Sequence, residues 1–451
     1  MRAISPLLLR SQKAKSILAK NFITRIVLTY GANTYTYTKT KIKDLSHTEQ
    51  WWSQTSELLL EDTDKVLHGL DLEGYKAVIS YGLITRSGAE YVATAPLWVV
   101  GQQRDSYRDR LECSLSMEGT LDRMAKHKAE ASLTLESTDT QTVKTLLSAI
   151  AAGTLTDGTN TPYTNYPAYT ITYDSEDDLI DAFIPADSFR VNLNDSRLAK
   201  FKELLGYTDC VARVESDEAI HIRVPVTSGT TYDETYSLAD GFHNFFNKRF
   251  RRRIVSPNYI TFKSYPSSGD GYTGYASDAS ADLTSMLERD THYARVTSNA
   301  QCTNLATAFL SKLQMASEKG AAVIPFMNFA QEVYDYVNVV DARAGDSRAG
   351  NIGYVTRYYQ PGQASMSFGF GRPPLGVPSL EGYATEAGVG RAGINIEALN
   401  LIIKAIYDNF DEILDTMVTR KMLLEFIEDA YFRKLTVTER LRLPYGTDKY
   451  G

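Results

Sequence analysis

Three glycines near the end of the chain have the spacing of a phosphate-binding loop. Gly388, Gly390 and Gly393 form a GxGxxG motif ahead of a predicted helix, and such a loop cradles a pyrophosphate in dinucleotide-binding folds. That function requires a strand before the loop and a βαβ unit around it. The residues before the motif make a poor strand and only helix follows, so we interpret it as part of a flexible linker.

An acidic run at residues 174–181 resembles a calcium-binding loop. Its carboxylates alternate as in an EF-hand, but Leu179 stands at the sixth position, where that loop needs glycine. We therefore predict a solvated loop that precedes a strand.

A second loop, residues 341–350, is rich in Arg, Asp and Gly. Asp341 and Asp346 are five residues apart, and Arg343 and Arg348 are close enough to pair with them. Such pairs neutralise and stiffen a turn. We therefore predict a structural hairpin tip rather than a metal-binding or catalytic loop.

Five cations lie close together between Phe245 and Ile254, interleaved with phenylalanines. Such a patch could contact phosphate, but the net charge of −7 disfavours general affinity for nucleic acid. Cations at a helix C-terminus that runs into a strand are one alternative, and a charged interface between subunits is another. The candidate interface residues are Lys248, Arg249, Arg251, Arg252 and Arg253.

The other candidates for catalysis have no partners that the sequence identifies. The six histidines are scattered, and Asp290 and His292 lack an evident third member of a triad. Glu57, Glu61 and Asp62 could be glycosidase carboxylates, but a sequence does not set their separation. P-loop, GxSxG, HExxH and CxxC motifs are absent. We therefore predict no enzyme activity, no cofactor and no metal site.

The composition is that of a folded protein with more than one core. The chain has 451 residues, of which 43% are hydrophobic and 23% are charged. Its 29 tyrosines fit surfaces that are apolar on one side and hydrogen-bonded on the other, as at assembly interfaces. No apolar stretch approaches the ~20 residues that cross a bilayer, so we predict no membrane span.

The elements that must position these side chains are mostly short strands. The runs "KAVISYGLIT" and "LECSLSMEG" read as strands, and residues 31–33 read as the turn of a hairpin. A helix follows, for which Thr138 or Thr140 could be the N-cap and Gly153 the end.

The middle of the chain reads as a small α+β module. An amphipathic helix precedes two strands, "CVARVE" and "AIHIRVPV". The apolar face of this helix comprises Leu198, Phe201, Leu204 and Leu205. After residue 241 strands return around one long helix, and residues 265–281 read as a long polar loop.

The last part of the chain reads as helix with a narrow apolar seam. Its residues are spaced 3, 4, 4, 3 and 4 apart, close to a heptad repeat. The seam comprises Leu399, Ile402, Ile406, Phe410, Ile413 and Met417. A seam that follows a Gly/Pro linker has no nearby core of its own, so we predict that it contacts a partner or another subunit.

Together these patterns predict a mainly β protein with an α+β insertion, in six segments. The segments are an N-terminal arm (1–20), a first β domain that is a barrel or a sandwich (21–155), an inserted α+β module (156–240), a second mainly β domain (241–372), a Gly/Pro linker (373–393) and C-terminal helices (394–451).

Three stretches within residues 21–372 carry a resemblance to a known family. They are "YVATAPLWVVGQQRDSYRDRLECSLS", "DSRLAKFKELLGYTDCVARVESDEAIHIRV" and "EVYDYVNVVDARAGDSRAGNIGYVTRYY". Their order resembles the baseplate hub, or tail-tip hub, family of tailed bacteriophages, which also supplies the spike base of contractile injection systems.

The resemblance implies two similar barrels in each of three subunits. Such a homotrimer would form a ring that joins a six-fold tail tube to a three-fold tip. The implied partners are distal tail or tail tube proteins, a fibre or spike at the C-terminal helices, and DNA in transit through the lumen. The implied location is the virion tail tip or baseplate, after synthesis in the host cytoplasm.

Two alternatives from other classes stay open at this stage. A tail-associated cell-wall hydrolase would need a cleft with paired carboxylates of raised pKa. A carbohydrate-binding adhesin is suggested by tyrosine-rich loops such as "TPYTNYPAYT".

Overall fold

A computed structural model provides the three-dimensional structure of this chain. The residues that it describes are 1–13, 21–239, 241–245, 247–252, 255–265, 268–279, 287–324 and 326–371. The predicted linker, the C-terminal helices with their seam, and the GxGxxG motif lie outside these residues.

The first third of the chain is one helix followed by eight strands. The helix buries Leu8 and Gln12. The elements are α1 (Pro6–Lys13), β1 (Phe22–Tyr30), β2 (Asn33–Thr38), β3 (Ile42–Gln50), β4 (Ser53–Glu61), β5 (Lys76–Thr85), β6 (Gly88–Ala93), β7 (Leu97–Ser106) and β8 (Leu111–Gly119).

The middle of the chain alternates short helices with short strands. Its elements are α2 (Thr120–Lys126), β9 (Leu133–Thr134), α3 (Val143–Ala152), β10 (Ile171–Tyr173), α4 (Asp178–Ala182), β11 (Arg190–Val191), α5 (Arg197–Gly206), β12 (Val211–Val214) and β13 (Ile220–Arg223). The strands β10, β13 and β12 form a small sheet in that order.

The last described third is again mostly strands. Its elements are β14 (Glu234–Ser237), β15 (Asn247–Arg252), β16 (Tyr259–Ser264), β17 (Thr273–Ser277), β18 (Arg289–Ala294), α6 (Asn299–Ser317), β19 (Glu318–Ile324), β20 (Tyr336–Asp341), β21 (Asp346–Gln360) and β22 (Gln363–Phe370). The strands β17, β16 and β18 form a separate three-stranded sheet, in that order, that does not pair with the other sheets.

Strands from both ends of the described chain join in one large sheet. Its strand order is β15-β19-β22-β21-β3-β4-β8-β7-β5-β1-β2, with β20 and β14 branching from β21 and β6 from β5. The link is the antiparallel pair of β21 and β3, which places Arg357 opposite His47. The mainly β class with an α+β insertion is therefore confirmed, but no closed barrel is found among the described residues.

Two large hydrophobic cores stabilise this arrangement. The first combines side chains of both ends of the chain, such as Leu58, Leu60, Ile352 and Phe368. The second combines the middle elements with β16, β18 and α6. Each buried aliphatic or aromatic side chain contributes about 1.5–3 kcal/mol through its removal from water. The domain limits at residues 155 and 240 stay predictions.

Several local predictions are confirmed by the backbone. Gly31, with a positive φ of 57°, makes the two-residue turn between β1 and β2. Gly153 ends α3 in the left-handed conformation that favours glycine. The predicted apolar face of α5 is buried in the second core.

Other local predictions are wrong. Thr142, rather than Thr138 or Thr140, caps α3, because its side chain accepts a hydrogen bond from the amide of Thr145. The polar stretch 265–281 contains strand β17, which pairs with β16. The acidic run is not a loop before a strand. Its second half belongs to helix α4 (Asp178–Ala182), and the side chain of Asp177 caps that helix.

Candidate functional site: a buried ionic junction

Charged side chains from four parts of the chain meet where β3 and β21 pair. We call this cluster the ionic junction. Each member is less than a tenth exposed. The members are Arg2, Glu49, Arg213, Glu332, Asp335 and Arg357. Charged residues are rarely buried unless they are paired, so the pairing in this cluster decides whether the fold can form.

Glu49, on β3, is the centre of the first half of the junction. Arg2 approaches its Oε1 with Nη2 at 2.5 Å, and Arg357, on β21, approaches the same oxygen with Nη1 at 3.0 Å. Burial opposes ionisation of this carboxyl, but the two guanidinium groups outweigh burial and hold the pKa of Glu49 below its usual range. The N-terminal arm and both halves of the large sheet therefore meet at one carboxylate.

Arg213, on β12, connects the middle module to the same cluster. Its Nη2 lies 3.0 Å from Glu332 Oε2, and its Nη1 lies 3.2 Å from Asp335 Oδ1. Its Nε also donates to Glu215 Oε1 at 2.7 Å. Burial lowers the pKa of Arg213, but the three carboxylates outweigh burial and raise it. The loop before β20 thus holds the module through one charge-assisted hydrogen bond, to Asp335, and one ion pair, to Glu332.

Arg2 completes the network from the N-terminal arm. Its Nε lies 3.2 Å from Glu332 Oε1, so Arg2 and Arg213 share one carboxylate. Its backbone amide donates to the carbonyl of Ala330 at 2.8 Å. The arm is therefore fixed to the loop before β20 by its backbone and by its side chain.

An aromatic pair closes the junction on one side. The rings of Trp51 and Tyr334 stack with centroids 5.2 Å apart, and Trp51 Nε1 donates to the carbonyl of Ile352 at 2.9 Å. Both rings belong to a small third hydrophobic cluster with Val211 and Met315. Apolar packing thus connects the middle module with both halves of the large sheet, which the ion pairs also join.

A small cavity lies against the junction. Arg2, Glu49, Gln54, Arg213 and Glu332 are among its lining residues, and its volume is about 30 Å³. That volume holds about one water molecule, whereas small-molecule sites have volumes of about 300–1,000 Å³. The cavity is too small for a sugar ring or a nucleotide.

The glycosidase-like carboxylates are held by structural interactions. Glu61 pairs with Lys43 at 2.5 Å, and Glu57 accepts a hydrogen bond from Ser116 at 2.8 Å. Asp62 is fully buried and accepts hydrogen bonds from the amides of the short 3₁₀ turn that follows it. Burial raises the pKa of Glu332 and Asp335, but these carboxyls face Arg2 and Arg213 and not an open cleft.

The hairpin tip and the basic stretch lie next to each other. Residues 341–350 form the tip of the β20–β21 hairpin, as predicted, with the turn at residues 342–345. Arg343 Nε donates to Asp341 Oδ1 at 3.1 Å. That bond, against the opposing effect of burial, lowers the pKa of Asp341 to about 2. Asp346 pairs with Lys248 and not with an arginine of the loop.

The basic stretch is strand where the structure describes it. Residues 247–252 form β15, so the interpretation as the end of a helix is wrong for this part. Arg249 also lies on β15, and the side chains of Arg251 and Arg252 are outside the described set, as is residue Arg253. The charged interface therefore stays a prediction.

Sequence reasoning missed the ionic junction. Its members lie far apart in the chain, and no spacing relates them. One signal was present: Arg213 and Arg357 each stand within a strand among apolar or aromatic neighbours, in "CVARVE" and "YVTRYY". A cation in such a strand has to find a buried partner or leave the sheet.

Comparison with known proteins gives the fold class. No protein-family model and no curated protein matches the chain. Among solved structures, a tail protein from Neisseria meningitidis MC58 matches with a TM-score of 0.55 and 8% identity, over 79% of this chain and 98% of that one. The 43 kDa tail protein of prophage MuSo2 from Shewanella oneidensis matches with a TM-score of 0.51 and 11% identity, over 78% and 98%.

The chain therefore has the fold of these two tail proteins, and the resemblance to the hub family is confirmed at the level of fold. None of the described helices is both long enough and apolar enough to cross a membrane.

Proposed function

We propose that this protein is a structural hub of a phage tail tip or baseplate. The observation that carries the proposal is the shared fold, which extends over 98% of two tail proteins, one of them from a prophage. In this role the chain is part of the virion, is made in the host cytoplasm, and contacts distal tail or tail tube proteins.

The assembled form that we propose is a homotrimeric ring, which adapts a six-fold tube to a three-fold tip. Two features support it. Within the described residues, β2 pairs only with β1 and β15 only with β19, so the main strand order of the large sheet has a strand edge at each end. Unpaired edges favour pairing with another chain, and a closed ring is one way to cover them.

The role that we propose is mechanical and not enzymatic. The ionic junction fixes the arm, the module and both halves of the large sheet relative to one another, as a load-bearing ring subunit requires. Its cavity of about 30 Å³ cannot hold a cell-wall polymer. We expect purified protein to leave peptidoglycan intact in zymography, and clearing would contradict this part of the proposal.

The C-terminal helices are proposed to close the tip, to dock a fibre or spike, and to open for DNA passage. The support is the heptad-like seam, which lies outside the described residues. Replacing Ile402 and Ile406 with Asp should prevent association of the seam because charges cannot enter a coiled-coil core. Normal trimers and closed tails of this double variant would contradict the proposal. The control is an unchanged β-sheet signal in circular dichroism, which shows that the sheets of the variant still fold.

Location within the particle tests the proposal as a whole. A chain that carries a C-terminal affinity tag is introduced into the phage, and tagged tails are viewed by electron microscopy with a gold-labelled ligand for the tag. We expect gold only at the end of the tail distal to the capsid. Label along the tube, at the capsid or absent from purified virions would contradict it.

A further inference from the structure

Three side chains with metal-binding atoms meet on the small sheet of β10, β13 and β12. They are Asp174, Glu215 and His221, and one ligand atom of each lies within 4.8 Å of the others. Two carboxylate oxygens and one imidazole nitrogen form a set of donor atoms that binds transition metals in proteins. The predicted hub function uses none of these residues.

The sheet register places these donors together. His221 stands on the central strand, opposite Thr172 of β10 and Arg213 of β12. Asp174 and Glu215 each follow those partners by two residues, so they lie on the same face as His221. Backbone hydrogen bonds from Asp174 to Ile222 and from Glu215 to Ala219, at 2.9 and 3.2 Å, extend the pairing to both positions.

The histidine ring has a carboxylate on each nitrogen. Its Nδ1 lies 3.0 Å from both oxygens of Asp174. Its Nε2 lies 3.0 Å from Asp217, which is not one of the three donors and also accepts a hydrogen bond from the amide of Ala219 at 3.1 Å. Histidines that bind metals commonly donate their second N–H to such a carboxylate, which fixes the tautomer and the ring orientation.

The second carboxylate donor, Glu215, is held in place by Arg213. Its Oε1 accepts from Arg213 Nε at 2.7 Å, and Arg213 is a member of the ionic junction. Arg213 Nη2 lies 2.5 Å from the same oxygen, so the pair fixes the orientation of the Glu215 carboxylate. The three donors are thus supported by Asp217 and Arg213, and ordered support of this kind is typical of metal sites.

We propose that Asp174, Glu215 and His221 bind a divalent transition metal ion, with Zn²⁺ as the favoured ion. His221 binds through Nδ1, the two carboxylates bind through one oxygen each, and Asp217 orients the ring through Nε2. With a neutral imidazole the three donors carry two negative charges, which a divalent cation balances. Because one donor is nitrogen, the site prefers Zn²⁺ to Ca²⁺ and Mg²⁺, which prefer oxygen ligands.

Isothermal titration of the full-length protein tests the proposal. After treatment with a chelator and its removal, the protein is titrated with ZnCl₂ and separately with CaCl₂. We expect one Zn²⁺ per chain and much weaker binding of Ca²⁺. Asp217→Asn should weaken Zn²⁺ binding by about 10–100-fold, as removal of a supporting carboxylate does elsewhere, and His221→Gln should weaken it more.

His292→Gln is the matched control, because His292 also stands on a strand beside an aspartate, 3.2 Å from Asp290. It should bind Zn²⁺ as the parent does. Unchanged Zn²⁺ binding by His221→Gln would overturn the proposal, as would the absence of a Zn²⁺ site in the parent or equal affinity for Ca²⁺. Should His221→Gln fail to fold by circular dichroism, Asp217→Asn alone decides, because it keeps the shape of the side chain.

Discussion

The ionic junction and the hairpin tip at residues 341–350 use the same residue types in opposite surroundings. In the junction, Arg357 is fully buried and meets Glu49 at 3.0 Å. At the tip, Arg343 is 66% exposed and meets Asp341 at 3.1 Å. The distances are nearly equal, so the separation of the charges does not distinguish the two pairs. They differ in burial: both members of the junction pair are buried, whereas at the tip Asp341 is 7% exposed and only Arg343 lies in solvent.

The two pairs differ in the free energy that is lost when one partner is removed. A buried charge without its partner keeps its desolvation penalty and has no compensating attraction, whereas water replaces the partner of an exposed charge. The junction therefore makes arm, module and sheet depend on one another. The tip only stiffens a turn.

The largest effect is expected at the centre of the junction. Arg357→Ala leaves Glu49 buried with one cation instead of two, and should lower the free energy of unfolding by about 3–5 kcal/mol. Urea unfolding monitored by tryptophan fluorescence measures it. A loss below about 1 kcal/mol, the range of exposed pairs, would show that the buried and exposed pairs do not differ.

The second prediction tests the attachment of the module. Arg213→Ala removes the cation shared by Glu332 and Asp335, so the loop before β20 loses its hold on β12. Hydrogen exchange should become faster in β12, β13 and that loop, and stay slow in β5 and β8, because local opening follows local loss of contacts. Uniformly faster exchange would indicate that the module and the sheet unfold together.

The third prediction concerns pH. Burial, with Arg357 and Arg2 near by, lowers the pKa of His47 to about 3, against about 6.5 in an unfolded chain. Between these values only the unfolded state binds the proton, so stability falls as pH falls, by up to about 1.4 kcal/mol per pH unit. His47→Gln should flatten the slope between pH 6.5 and 5, and an unchanged slope would contradict the assignment.

The smallest effect is expected at the tip. Arg343→Ala should cost less than about 1 kcal/mol, because Arg343 is exposed and the buried Asp341 keeps Lys248 as a second cation at 3.5 Å. A concentration of 1 M NaCl should reduce even that difference. The same urea titration used for Arg357→Ala gives the value. A cost equal to that of Arg357→Ala would remove the distinction between the two regions.

Features that depend on residues close together in the chain could be predicted from the sequence, and features that depend on distant residues could not. The turn at Gly31 and the end of α3 at Gly153 depend on neighbours in the chain, and both were predicted. Strand β17 was read as loop because its polar residues form a strand only by pairing with β16. The junction brings Arg2 to within 2.5 Å of Glu49 and links it to residues more than 300 positions away, which no local pattern encodes.

Native mass spectrometry of the full-length protein tests the hub proposal most directly. We predict a species of three times the 50.3 kDa chain mass, either alone or with the distal tail protein of the same phage. A protein that stays at 50.3 kDa under both conditions would contradict the account.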